Sequence, residues 1–186
     1  MSIDRVAFRS YTSSQNLVLA SLFLCLCLIL PFFVGNIPTF GAMLLPMHFP
    51  VLVCGIVLGP KYGGLVGLLA PFTRFFMIGM PPLLTAAAMT FELAAYGIAI
   101  GLLYHFLPKN IPSLYASLIG AMLIGRVVWA AARVVLIGVA GLPFSFELFL
   151  AGAFVNALPG IVVQILLIPM IILALKNAGF KTKTDV

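Results

Sequence analysis

The chain has 186 residues, of which 63% are hydrophobic and only 8% are charged. A soluble globular domain is about 45–50% apolar and about 25% charged, so this chain has too little charge to cover a water-facing surface. That excludes a soluble enzyme, a nucleic-acid-binding domain and a disordered tail. The mean hydropathy of +1.25 indicates that lipid is the main solvent of the protein. The formal net charge of +6 then fits basic residues at the cytoplasmic ends of membrane spans.

A helix needs about 20 apolar residues to cross a bilayer, and six segments of the chain approach that length. We predict an all-α integral membrane protein of one domain, residues 1–186, whose spans end at breaks rich in glycine and proline. In chain order the predicted spans are 17–34, 41–59, 62–78, 83–106, 114–139 and 149–175. The apolar run after Arg9 extends to Val34 without a nearby small-x-small cleavage site, so we expect a retained first span rather than a signal peptide.

The distribution of lysine and arginine predicts the orientation of the spans. With a cytoplasmic N-terminus, the outer segments 35–47, 79–82 and 140–148 contain no basic residue. The inner segments then contain seven: Arg5, Arg9, Lys61, Lys109, Lys176, Lys181 and Lys183. We therefore expect both termini in the cytoplasm.

Span 2 contains Pro46 and Pro50, each of which removes a backbone donor and disfavours helix at the residue before it. The uninterrupted part, 51–59, would be about 14 Å long, too short to cross. We therefore expect residues 35–50 to form an outer loop that dips into the protein. Irregular backbone at that depth must be buried in protein or line a cavity, which makes His48 a candidate ligand-binding residue. Its alternative role is to satisfy the loop backbone.

Glycines four residues apart let helices approach closely. Gly59, Gly63 and Gly67 form two such steps, and Gly97 and Gly101 form another. We predict that these glycines pack the spans against each other inside the bundle.

Four ionisable residues lie within predicted spans: Arg74, Glu92, Arg126 and Arg133. Each costs about 2.5–3.5 kcal/mol on insertion scales and so needs a partner or a water-filled cavity. At 1.5 Å per residue, Arg74, Glu92, Arg133 and Asn156 lie about 6, 13, 9 and 10 Å below the outer ends of their spans. Arg126 lies deeper, about 20 Å down. These depths predict a polar layer beneath the outer loops.

One face of span 5 has two cations and the only tryptophan at helical spacing: Arg126, Trp129, Ala130 and Arg133. On span 4, Glu92 and Tyr96 share a face at positions i and i+4. An aromatic body with convergent polar groups is typical of a small-molecule pocket. We expect Glu92 and Arg133 to pair, either structurally or while also contacting ligand. Arg126 has the alternative of bonding backbone carbonyls, and Arg74 that of reaching outward to the headgroups.

Catalytic, metal and nucleotide motifs are missing from the sequence. The three cysteines, Cys25, Cys27 and Cys54, lie in apolar runs without metal-ligand or disulfide spacing. We therefore predict a protein that is not an enzyme, with no catalytic residue, metal or cofactor. Active transport would need another subunit or an ion gradient.

The order of several motifs resembles the substrate-binding S components of energy-coupling-factor (ECF) vitamin transporters. The segments that carry the resemblance are His48-Phe49-Pro50, Gly59 to Gly63, Pro71, Gly79 to Pro82, Glu92-Leu93 and Gly125-Arg126. The resemblance implies a multi-pass protein of a prokaryotic cell membrane that captures a vitamin or precursor from outside. It also implies docking to a transmembrane coupling subunit and two ABC ATPases, with toppling in the membrane.

Family members dock through Ala-x-x-x-Ala on span 1 and bind substrate with spans 4 to 6 and outer loops 1, 3 and 5. Here Ala20 is followed at i+4 by Leu24, and the nearest small pair is Ser21-x-x-x-Cys25. The predicted site holds three arginines and one glutamate, and an anionic ligand such as a pantothenate- or niacin-like acid would offset that charge. A pyridoxine-like vitamin or a queuosine precursor is the alternative, bound through Trp129 and Glu92.

Two other classes of function are open at this point. A stand-alone ion- or proton-coupled transporter would use Glu92 as its proton carrier. A purely structural membrane subunit would leave the polar layer unexplained.

Overall fold

A computed structural model describes residues 12–34, 43–141, 143, 145–147, 152 and 157–178. Its long helices in chain order are α1 Ser13–Val34, α2 His48–Leu58, α3 Pro60–Ile78, α4 Leu83–Phe106, α5 Ile111–Val139 and α6 Leu158–Asn177. These parts of the chain contain no strand, which confirms the all-helical prediction for them. Four helices, α1, α4, α5 and α6, are long and apolar enough to cross a membrane. Six crossings and the orientation of the termini stay predictions.

Local signals in the sequence explain where α3 ends and where α5 begins. The helix α3 ends at Gly79, which has a left-handed φ of 74° and donates its N–H to the carbonyl of Phe75. Glycine reaches that conformation without the steric cost of a Cβ. The helix α5 is capped by Asn110, whose side chain accepts a hydrogen bond from the Ser113 N–H at 2.9 Å.

Two helices differ from their predicted spans. In place of span 2, the helix α2 has only eleven residues, His48–Leu58, and residues 35–42 of that region lie outside the described parts. The described part of α6 begins at Leu158 after a turn at Ala157. The predicted start of span 6 at residue 149 stays a prediction, because residues 148–151 and 153–156 lie outside the described parts. Pro159 lies in the first turn of α6, where its missing N–H would have no partner within the helix.

The short helix α2 lies at the centre of the bundle. Ten of its eleven residues are buried, and it packs against α1, α3, α4 and α6. At 1.5 Å per residue it is about 16 Å long, so it cannot cross a bilayer. Its burial in protein shields its backbone from hydrocarbon, as a helix too short to span requires.

The helices α2, α3 and α4 meet backbone to backbone at glycines. A Cβ added to Gly97 would lie 2.2 Å from the carbonyl carbon of Gly63, and one added to Gly63 would lie 2.7 Å from the Cα of Gly55. A Cβ on Gly67 would lie 2.2 Å from the carbonyl oxygen of Leu93. These contacts confirm the predicted packing role of the glycine repeats. Gly59 has another role, because its φ of 86° makes the turn between α2 and α3.

The outer surface of the bundle is apolar. Large hydrophobic side chains are exposed on α1, α3, α4, α5 and α6, including Phe33 at 76%, Phe76 at 78% and Val139 at 83%. Soluble monomers rarely expose so many large apolar side chains. It fits a hydrocarbon environment around the helices.

We expect Gly97→Ala to destabilise the protein, because its Cβ would collide with the backbone of α3. Overpacking of this kind costs about 1–3 kcal/mol. The matched control is Gly138→Ala on α5, where a Cβ meets nothing within 4 Å and the change is worth less than about 1 kcal/mol. Melting temperatures in mild detergent check both. Equal melting temperatures for the two variants would contradict the backbone contact of α3 and α4.

Candidate functional site

A buried ionic cluster joins α2, α4 and α5. The carboxylate of Glu92 on α4 places Oε1 3.4 Å from Nε2 of His48 and 3.3 Å from Nη1 of Arg126. His48 and Glu92 are 1% and 2% exposed, and Arg126 is 12% exposed. His48 is the first residue of α2, so the start of that central helix brings it to Glu92. We call Glu92, His48 and Arg126 the inner cluster.

Tyr96 lies one turn along α4 from Glu92 and packs against the inner cluster. Its ring meets the imidazole of His48 edge to face, with centroids 5.3 Å apart. A Cβ at Gly125 would lie 2.4 Å from this ring. The glycine therefore lets α5 approach α4 closely enough for Arg126 to reach the carboxylate of Glu92.

The side chains of the inner cluster lie close to one another, but several of their polar atoms have no hydrogen-bond partner. The buried atoms Nδ1 of His48 and Nε and Nη2 of Arg126 have no hydrogen-bond partner. Glu92 Oε1 also lacks an aligned hydrogen bond, so its two short distances represent close approach, with a charge contact to Arg126, rather than directed bonds. An unsatisfied buried polar group costs about 1–3 kcal/mol. Such groups at this density mark a place where a ligand or water can bind.

The helices α4 and α5 run antiparallel, and we call the contact between them the seam. Side chains of the two helices meet at three successive levels along it. At the level nearest the start of α4, Nη1 of Arg133 donates to Oγ1 of Thr85 at 3.3 Å. At the middle level, Trp129 packs with Ala88. At the third level is the pair of Glu92 and Arg126.

The predicted pairing of Glu92 with Arg133 is wrong in this structure. Glu92 pairs with Arg126 and His48, and Arg133 bonds Thr85. Depths counted from the ends of spans omit the offset between neighbouring helices, and here the residues that pair differ in such depth by about 6 Å, roughly one helical turn. Thr85 was missed, although its spacing of three and seven residues from Ala88 and Glu92 mirrors the stripe on α5.

Arg74 contacts α1 rather than the inner cluster. Its Nη1 donates to the carbonyl of Leu28 at 3.0 Å, and its guanidinium lies 5.0 Å from the ring centroid of Phe32. These contacts hold α1 against α3. The other candidate from the polar layer, Asn156, lies outside the described residues.

On α1, the predicted docking residues lie in two environments. Ala20 is 7% exposed and belongs to the core of the chain itself. Ser21 and Cys25 are exposed on the surface of α1, and the Ser21 hydroxyl donates to the carbonyl of Leu17 at 2.9 Å. The docking hypothesis therefore keeps Ser21 and Cys25, because Ala20 has no surface to offer a partner.

A separate apolar groove of about 580 Å³ runs between α1, α2 and α6. Its lining includes Leu22, Leu26, Phe49, Val53, Leu167 and Ile171. The lining residues are all apolar, so nothing in the groove would orient a water-soluble molecule. The inner cluster and the α4–α5 seam are therefore the better candidate site for a water-soluble molecule. The described residues contain no group of three metal-ligating side chains.

Comparison with known proteins gives one family. A family model described as "ECF transporter, substrate-specific component" matches residues 15–172, which is most of the chain. No curated protein and no solved structure gives a significant match.

We expect Arg126→Gln to destabilise the protein strongly, because the buried carboxylate of Glu92 would lose its arginine partner. Removing one side of a buried pair costs about 3–5 kcal/mol. The double variant Arg126→Gln, Glu92→Gln should recover most of that loss. Arg133→Gln removes a single hydrogen bond and should cost about 0.5–1.5 kcal/mol.

Chemical denaturation of ligand-free protein in detergent measures these differences. If Arg133→Gln were the costlier single change, and Glu92→Gln rescued it, the pairing would be Glu92 with Arg133 instead.

Proposed function

We propose that this chain, which belongs to the family of ECF transporter substrate-specific components, captures a small water-soluble vitamin or vitamin precursor from outside the cell. Membership makes it a multi-pass membrane protein and a substrate-binding subunit of a transporter. The family match is the observation that carries the proposal. The apolar outer surface and the buried polar groups in the bundle support it.

The proposed binding site is the α4–α5 seam with the inner cluster beneath it. The unsatisfied donors of His48 and Arg126 support this placement, because they lie inside an otherwise apolar bundle. Tyr96 and Trp129 supply aromatic surface at two levels of the seam. Asn156 remains a proposed member of the site from its sequence position. Arg74 is proposed to contribute only through α1.

The proposed partners are a transmembrane coupling subunit and two ABC ATPases in the plasma membrane of a prokaryote. The absence of a nucleotide-binding motif from the sequence supports them, since uptake against a gradient needs an energy source. The exposed face of α1 with Ser21 and Cys25 is the proposed docking surface. The protein itself is proposed to bind and release substrate without catalysing a reaction.

The second candidate is a stand-alone proton-coupled transporter. The observation that favours it is a carboxylate that is 2% exposed and lies 3.4 Å from a histidine. Ionisable residues within membrane spans often form proton relays. Glu92 would then be the proton carrier.

We expect the chain alone, reconstituted in liposomes, to bind the small molecule that copurifies with it but not to accumulate it. Adding the coupling subunit and the two ATPases should produce uptake that depends on ATP. The measurement is radiolabel retained inside the liposomes, with and without an imposed proton gradient. Accumulation by the chain alone that follows the proton gradient and disappears in Glu92→Gln would support the second candidate instead.

A further inference from the structure

The two arginines of the α4–α5 seam differ in whether a charged partner lies beside them in the described parts of the chain. Arg126 is 12% exposed and lies 3.3 Å from the carboxylate of Glu92, so its charge is already balanced. Its Nε and Nη2 atoms are closed off from the surface. A ligand anion placed beside Arg126 would have to displace Glu92, which is held on its other side by His48.

Arg133 has no charged partner in the parts of the chain that the structure describes. Its hydrogen bond goes to the neutral hydroxyl of Thr85, and neither ion pair among the described residues involves it. The residue is half-buried. A cation about 9 Å below the end of its helix, in apolar surroundings, is costly unless an anion approaches it.

The surroundings of Arg133 fit a ligand. Trp129 lies one turn deeper on the same face of α5 and is 9% exposed. A Cβ at Gly152 would lie 3.2 Å from the indole, so Gly152 packs against the ring. The hydroxyl of Thr85 fixes one nitrogen of the guanidinium and leaves the other donors for a bidentate contact.

We propose that Arg133 binds an ionised acid group of the transported molecule, a carboxylate or a phosphate, and that Trp129 contacts its uncharged part. Arg126 is then a positioning residue that holds Glu92, and Thr85 is a positioning residue that aims Arg133. This inference rests on the proposed function and narrows its substrates to acids. The other source of the same anionic oxygens is a phospholipid headgroup reached from the membrane surface.

Mass spectrometry of small molecules released from the purified, detergent-solubilised protein tests the proposal. The wild-type protein should release a water-soluble acid. Arg133→Gln should release at least about 10-fold less of it, and the control Lys61→Gln, an exposed cation, should release as much as wild type. Phospholipid as the sole anion lost in Arg133→Gln would overturn the proposal in favour of a headgroup contact.

A second measurement leaves the protein unchanged, so it does not depend on the folding of a variant. The fluorescence of Trp129, the only tryptophan of the chain, is titrated with the released acid and with its uncharged methyl ester. Loss of a charge-assisted hydrogen bond should weaken binding of the ester by about 10- to 150-fold.

Equal affinity for acid and ester would overturn the role of Arg133 while leaving the proposed function intact, as would release of a molecule without an ionised group. Wild-type protein that releases no small molecule would contradict the proposed function, and this inference with it.

Discussion

Contact between the backbones of α2, α3 and α4 at their glycines is the constraint on which the rest of this structure depends. Lipid supplies no hydrophobic force between helices, so close packing must hold them together. Gly55, Gly63 and Gly97 leave no room for a side chain at the crossing. Their contact holds an eleven-residue helix in the centre of the bundle, where its backbone is shielded from hydrocarbon. A longer or more loosely held α2 would not place His48 beside Glu92.

The inner cluster follows from this packing and carries the link to function. A carboxylate at this depth is stable only with partners, and it takes one from α2 and one from α5. His48 and Arg126 keep nitrogen atoms that have no hydrogen-bond partner. The inner cluster therefore links three helices while its own hydrogen bonding is incomplete. Arg133 lies farther along the seam with a charge that the described chain does not balance, which is why we propose it as the contact for an acid group.

The sequence predicted the helical membrane class, the packing glycines and the family, because these depend on local patterns of spacing and composition. It also identified candidate substrate-binding residues: Glu92, Arg126, Arg133, Trp129, Tyr96 and His48. It did not predict which of them pair. The pairs depend on the axial offset between α4 and α5 and on the close approach that Gly125 allows at the ring of Tyr96, and neither can be read from spacing within one helix. The contact of His48 with Glu92 joins residues 44 positions apart. Periodicity within one helix gives no information about such a contact between helices.

The most direct test of this account is an experimental structure of the purified protein with its copurified molecule, at a resolution that shows side chains. The account predicts Glu92 between His48 and Arg126, and a ligand acid group within hydrogen-bond distance of the Arg133 guanidinium, above Trp129. A structure in which Glu92 bonds Arg133 directly, with the ligand bound elsewhere in the bundle, would contradict it.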